Sequence, residues 1–314
     1  MRASTDMENK EYDGMTGKTE SAESERKKRG DRKDGVWLRD MDGFHAIMPH
    51  LMPQRCESEV YIEETIDVTE MMRYIERRNK EGLPYKLTPF HVLVAAVAKL
   101  IYHRPKLNIF ISGKRFYQRK KMTLAFVVKR KFEDEAEESL LIMEVNGDTT
   151  LDMISRKIVG DADQVRKEGG NDINDLLDKL ARLPRWVMRL AMCGFRFLDF
   201  HGWMPESICR GDSNYATVLL SNLGSIKCNA AYHHLNNYGT NSLVVTIGKI
   251  HKEQVTDENG NVRIRDVVAL GATADERIAD GFYFAKSLRL LEQILAQPQS
   301  LEEPVKMDID QGQQ

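Results

Sequence analysis

Apolar positions change period several times along the chain, and each change marks an element. From Val60 to Val68 they alternate in part, with the two-residue period of a strand that buries one face. A helix is predicted from about Thr69 to Glu81. Thr88 then stands as an N-cap with Pro89 at the first helical position, and Leu93, Val94, Val97, Leu100 and Ile101 recur at helical spacing, so this second helix belongs to the core. Asn108 to Ser112, Arg115 to Gln118, Leu124 to Val128 and Leu140 to Val145 read as strands, and Leu151 to Glu168 as a charged amphipathic helix. Ser242 to Ile250 and Val262 to Ala269 form a hairpin about Asn259-Gly260. Phe282, Ala285, Leu288, Leu291 and Leu295 line a last helix that ends before Pro298. Strands and helices interspersed in this way, without an internal repeat or a second core, predict an α/β (α+β) sandwich, a mixed sheet covered by helices.

Composition limits what surrounds this core. A chain of 314 residues with 41% hydrophobic and 30% charged residues is large enough for one substantial globular unit, placed here at residues 35–298. Residues 1–34 carry nine basic and nine acidic side chains and almost no aliphatics, the composition of a disordered charged tail. Within it, Arg26-Lys27-Lys28-Arg29 reads as a solvated charge run. Residues 299–314, rich in Gln, Glu and Asp, read as a frayed C-terminal tail. A net charge of -2 excludes general nucleic-acid binding. No apolar run spans a bilayer, and Met1-Arg2-Ala3-Ser4-Thr5-Asp6 lacks the apolar core of a signal peptide, so a cytoplasmic protein is expected. The scattered Cys56, Cys193, Cys209 and Cys228 suit a reducing compartment, show no metal-ligand spacing and are expected to be core thiols.

The chemistry concentrates in Ala274-Asp275-Glu276-Arg277-Ile278-Ala279-Asp280-Gly281, in the turn entering the last helix, and in Ser221-Asn222-Leu223-Gly224 some fifty residues earlier. Together, and in this order, they resemble the signatures of the acyltransferase components of 2-oxoacid dehydrogenase complexes and of chloramphenicol acetyltransferase. There the later stretch reads roughly Asp/His-His-x-x-x-Asp-Gly. The resemblance extends more weakly from about Gly35 to Pro298. It implies a chloramphenicol acetyltransferase-like fold, and a homotrimer in which the motif turn of one chain faces the Ser motif of its neighbour. It also implies coenzyme A as substrate. No lipoyl domain is evident in this chain, so an acyl carrier would be another molecule. Carried over, Ser221 is the oxyanion donor, Asp280 braces the site through an ion pair, and Gly281 permits a tight entrance into the helix.

The departure is Glu276, which stands where the resembled enzymes have histidine. The thiol to be deprotonated has a pKa near 8.5 and imidazole one near 6.5, whereas a carboxylate at about 4.3 falls roughly four units short, about 5–6 kcal/mol of uphill transfer. Burial would close part of that gap, and Arg277 beside it would hold the carboxylate charged. A relocated base is available in Ala231-Tyr232-His233-His234-Leu235, where His233 or His234 precedes the hairpin. The alternative for that pair is one solvent-facing and one packed histidine; no zinc spacing surrounds them.

A further helix is expected across Leu183 to Leu198, with Arg182, Arg185, Arg189 and Arg196 close to one stripe and Trp186, Leu190, Cys193 and Phe197 largely opposite. The expected arrangement is a helix packed on the core with a solvated arginine face; coenzyme A phosphates, an acidic carrier domain or lipid headgroups are the ligands such a stripe would suit. Two functions follow from the whole reading. One is a stand-alone acyltransferase between coenzyme A and a thiol or other small acceptor. The other is a catalytically retired relative acting as a ligand-binding or scaffolding trimer.

Overall fold

A computed structural model describes residues 28–129, 138–168, 182–256 and 259–309. By contact density the chain divides into an N-terminal unit, residues 1–31, and a main unit, residues 32–314. The described end of the first unit is a turn in which the Asp31 N–H donates to the Lys28 carbonyl at 3.0 Å. The rest of the expected charged tail, including Arg26 and Lys27, lies outside the described residues, as do residues 310–314.

The main unit is built on β1 (Gly35–Trp37), α1 (Gly43–Leu51), β2 (Glu59–Asp67), α2 (Thr69–Lys80), α3 (Pro89–His103), β3 (Ile109–Ser112), β4 (Arg115–Arg119), β5 (Met122–Lys129) and β6 (Glu138–Val145). It continues through α4 (Leu151–Glu168), α5 (Arg185–His201), α6 (Glu206–Gly211), β7 (Val218–Asn222), β8 (Leu243–Thr256), β9 (Val262–Asp275) and α7 (Gly281–Ala296). Six strands form a mixed sheet in the order β2-β9-β8-β7-β5-β6, with β7 parallel to both its neighbours and the other pairs antiparallel. A second, small sheet has the order β1-β4-β3. The mixed sandwich expected from the sequence is therefore the observed class.

Helix α3 explains how the large sheet is covered. Residues His91 to Ile101 are buried without a break, so this helix is covered all round rather than on one stripe, His91 and Lys99 included, and it packs against α2, α4 and α7. The hairpin reaches beyond the strands foreseen for it, to Thr256 and Asp275. Its outer part is exposed on both faces and rich in charge, and the inner end of β9 is made of Gly, Ala and Thr. Neither extension, His251 to Thr256 on β8 or Leu270 to Asp275 on β9, shows an alternation of large apolar and polar residues that could be read.

Both expected domain limits move. Arg32, assigned to the tail, is 7% exposed: its Nε and Nη2 bind the Asp34 carboxylate at 2.8 and 3.1 Å, and its Nη1 reaches Ser112 Oγ at 2.7 Å. At the other end, residues 299–309 are not frayed. Leu301, Val305 and Ile309 are buried, the Val305 and Lys306 N–H groups donate to the carbonyls of Thr149 and Gly147, and Lys99 Nζ donates to the Ser300 carbonyl. Polar composition concealed three apolar anchors at four-residue spacing. The cysteines are corrected too, for Cys56, Cys193 and Cys228 are exposed. Only Cys209 is partly covered, and burial pushes its thiol up to about 12.

Candidate functional site

The motif turn begins where β9 ends. Asp275 and Arg277, both almost wholly buried, form a two-pronged pair, Arg277 Nε to Asp275 Oδ1 at 2.8 Å and Nη2 to Oδ2 at 2.6 Å. Arg277 Nη1 donates to the Met52 carbonyl at 2.6 Å, and Ser58 Oγ donates to Asp275 Oδ1 at 3.1 Å. With its neighbours so anchored, Glu276 is turned outward: its side chain is exposed, and its N–H donates to the Ser58 carbonyl at 2.9 Å. The expectation that Arg277 would hold Glu276 charged is thus corrected, because the guanidinium belongs to Asp275.

Asp280 takes a different part from the bracing ion pair expected. It is the N-cap of α7, where its Oδ1 accepts the Tyr283 N–H at 2.7 Å. Gly281 has open space where a side chain would begin, so the tight entrance foreseen for it is not required.

Ser221 is half-buried on β7 and opposite Thr246 of β8. The following Gly224 is demanded by packing, since a Cβ there would stand 2.6 Å from the Gly248 carbonyl oxygen. Register measures how far this serine lies from the motif turn. Thr246 faces Gly271 of β9, four residues before Asp275. Two interstrand spacings combined with four residues of strand separate Ser221 from Asp275 by roughly 16 Å. Within one protomer Ser221 and Glu276 do not meet over one substrate atom.

The histidine pair lies on the same side as Glu276. The loop after β7 crosses the sheet: Thr246 Oγ1 bonds the Ala231 carbonyl, Tyr232 packs on Tyr61 of β2 with ring centroids 5.2 Å apart and bonds Glu63, and the Leu235 N–H reaches Glu59. His233 and His234 follow Tyr232, are exposed, and lie ring to ring at 4.9 Å, with His233 Nδ1 2.8 Å from the His234 carbonyl oxygen. Neither is the packed member that the alternative reading expected. Glu59 is the first residue of β2 and Ser58 the one before it, so the loop holding the histidines and the turn holding Glu276 both touch the start of this edge strand. By register Ser221 is level with Glu63, so three strand spacings and four residues of strand separate it from Glu59, roughly 20 Å.

This arrangement can be compared with known proteins. Residues 206–302 match the family model of the 2-oxoacid dehydrogenases acyltransferase (catalytic domain), a span that contains both sequence motifs. The dihydrolipoamide acetyltransferase of Azotobacter vinelandii superposes with a TM-score of 0.56 at 17% identity, over 81% of this chain and 90% of that one. The fold is that of the dehydrogenase acyltransferase cores. A probable dihydrolipoamide acetyltransferase from Listeria monocytogenes agrees equally well, with a TM-score of 0.56 at 16% identity over 84% of this chain and 96% of the other. A chloramphenicol acetyltransferase gives 0.52 at 12% identity, over 83% and 99%. In sequence, the lipoamide acyltransferase component of the branched-chain alpha-keto acid dehydrogenase complex of Bacillus subtilis is 23% identical over 235 residues. That alignment takes in 73% of this chain and 45% of the relative, so the chain spans less than half of the longer protein.

Acyltransferase-fold helices surround one feature that the sequence reading missed. A cleft of about 380 Å³ opens beside Arg277, lined among others by Arg55, Lys114, Arg196, Asp199 and Tyr238. Arg55 lies in the short helical turn before β2 and is 6% exposed; its Nη1 and Nη2 donate to the carbonyls of Asn236 and Ile111, and its Nε has no partner. Burial pulls Arg55 below the usual guanidinium range. Asp199, from the end of α5, accepts from the Tyr215 hydroxyl at 2.8 Å and the Gly239 N–H at 3.3 Å, and burial pushes its carboxyl up. Residues from four distant segments meet here, and no local spacing announces them; the signal available was Gly113-Lys114 between two strands, a two-residue turn with a cation at its tip.

Helix α5 itself departs from expectation. Trp186, Leu190 and Phe197, foreseen as its packed face, are 71%, 68% and 55% exposed, while Val187, Ala191, Phe195 and Leu198 are partly covered and Asp199 is buried. The helix carries apolar residues around most of its circumference, so the spacing defined the helix but not which arc meets the protein. Among the described residues no helix is long and apolar enough to cross a membrane, and no group of three or more His, Cys, Asp or Glu side chains could hold a metal ion.

Proposed function

We propose that the protein is a coenzyme A-dependent acyltransferase whose site is completed between copies of the chain. The observation that carries this reading is the separation within one protomer. Ser221 lies inside the sheet on β7, whereas Glu276, His233 and His234 are exposed around the start of edge strand β2. A homotrimer that brings the β2 edge of one chain to the Ser221 segment of its neighbour would join the two halves. In that site Ser221 donates to the oxyanion of the tetrahedral intermediate, and His234, His233 or Glu276 accepts the thiol proton. The acceptor is a thiol or another small nucleophile, and an acyl group arriving on lipoamide would come on a separate lipoyl carrier in the cytoplasm.

Thiol release from acetyl-CoA and longer acyl-CoAs, with dihydrolipoamide as acceptor, tests the reading alongside sedimentation equilibrium. The expected result is a trimer whose turnover is lost in Ser221→Ala and in one of His233→Ala/His234→Ala or Glu276→Ala. A second reading, a retired trimer that binds or scaffolds, is favoured by Glu276 itself, an exposed carboxylate in the place of an imidazole. A trimer without turnover on any of these donors supports that second reading, and a monomer removes both.

A further inference from the structure

The cleft beside Arg277 is a built site with unbalanced charge. Arg277 is neutralised by Asp275, but among the described residues no carboxylate stands within ion-pair distance of Arg55, Lys114 or Arg196. Arg55 satisfies two of its nitrogens with carbonyl oxygens, and the Lys114 ammonium lies 3.5 Å from the His50 ring. Asp199, the carboxylate lining the cleft, has its oxygens engaged by Tyr215 and Gly239. Behind this wall a second buried arginine, Arg119, likewise donates to carbonyl and hydroxyl oxygens of Tyr215 and Thr240, and burial lowers it to about 10. Cations held in protein with dipoles as their main partners gain more from an incoming anion than solvated ones do.

The backbone gives an independent sign. Gly113 and Lys114 form the two-residue turn joining β3 to β4, with φ of 55° and 59°, the left-handed pair of a tight hairpin turn. Glycine is required at 113, where a Cβ would meet the Phe200 carbonyl oxygen at 2.6 Å. At 114 glycine or asparagine would be the comfortable residue, yet the chain places a lysine there, in a conformation unfavourable for its side chain and at the rim of a cationic cleft. Strain retained at such a place points to use of the side chain.

We propose that this cleft binds the anionic end, phosphate or carboxylate, of a small molecule, with Lys114 and Arg196 closing on it from the rim and Arg55 supplying charge from within. The site does not depend on Ser221 or on any catalytic reading, and its volume suits a compact ligand. A planar guanidinium and a flexible ammonium converging on one anion make charge-assisted hydrogen bonds of the strong class.

The test is calorimetric titration of the full chain at low ionic strength with inorganic pyrophosphate and, separately, succinate. Saturable one-site binding is expected for at least one of them; pyrophosphate alone marks a phosphoryl ligand, succinate alone a carboxylate, and both the shared anion chemistry. Lys114→Gly should weaken binding about tenfold, the share of one charge-assisted contact, and Arg196→Gln similarly. Lys114→Gly should also melt no lower than the parent, because it relieves the left-handed lysine, so lost binding cannot be ascribed to lost folding. Lys286→Ala, remote from the cleft, should bind as the parent does. Absence of saturable binding to both anions overturns the proposal, as does equal weakening by Lys286→Ala or unchanged affinity in both Lys114→Gly and Arg196→Gln.

Discussion

Arg277 grips Asp275, two residues before it in the chain, through two parallel hydrogen bonds at 2.8 and 2.6 Å in a site where the side chains are 2% and 0% exposed. This pair faces inward, so the residue between them must face outward. Removing one partner leaves a buried charge uncompensated, which costs about 3–5 kcal/mol. Arg277→Met is therefore expected to lower unfolding free energy by that order in chemical denaturation. Arg277→Lys should lose less, since an ammonium keeps the charge but not the two-pronged geometry. A stable Arg277→Met protein would show that the pair does not hold the turn.

Glu276 is exposed, and its hydrogen bond to the Ser58 carbonyl is made by its backbone, so its side chain can be exchanged without disturbing the fold. If the proposed transfer reaction takes place at this turn, Glu276→His should raise the rate of thiol acetylation from acetyl-CoA above that of Glu276→Ala. A well-placed general base contributes roughly 10² to 10⁴ in rate. Equal rates for the His, Glu and Ala forms, at unchanged melting temperature, would place the base elsewhere and turn attention to His233 and His234.

The sequence revealed most where one face of an element meets the core. The strand through Val60 to Val68 and helices α2 and α4 lie where periodicity places them, because burial of one face imposes the period, while α3, buried all round, was marked by its cap and its apolar run, and the inner hairpin by its apolar strands and the Asn259-Gly260 turn. The motif turn was equally legible. What periodicity could not supply was the orientation of α5, whose apolar residues run around most of the helix, or the burial of Arg32 and Ile309 in stretches of tail-like composition. Nor could it assemble the cleft, where Arg55, Lys114 and Asp199 meet only because β3, the end of α5 and the loop before β8 converge. The distance between Ser221 and Glu276 likewise emerges from strand register, a property of pairing rather than of spacing.

His91 makes stability depend on pH. It is buried on α3 against Tyr85, its Nδ1 has no partner, and burial lowers its pKa to about 4 from the ordinary 6.5. The folded protein thus binds this proton less readily than the unfolded chain. The stability present with neutral His91 is complete above the unfolded pKa and is lost as pH falls from about 6.5 toward 4. The loss over that window amounts to about 3 kcal/mol, from 1.36 kcal/mol per pKa unit. Urea unfolding between pH 7 and pH 4 should show a descending slope that His91→Leu flattens. Parallel profiles for the two proteins would contradict the assignment.

The segment after Pro298 offers the sharpest contrast between composition and structure. Leu301 is 1% exposed within the core cluster, whereas Lys306, five residues later, makes a surface ion pair with Asp148 at 2.9 Å. Truncating a buried leucine removes its transfer free energy and leaves a cavity, so Leu301→Ala is expected to cost about 2–5 kcal/mol. Lys306→Ala should change stability by less than about 1 kcal/mol, as exposed pairs do. Equilibrium denaturation of the two variants separates a docked segment from a frayed one. A frayed end would make both substitutions neutral, while a docked end also predicts that chains ending at Gln297 unfold at lower denaturant than the full chain, because Leu301, Val305 and Ile309 then leave their sites on the core together.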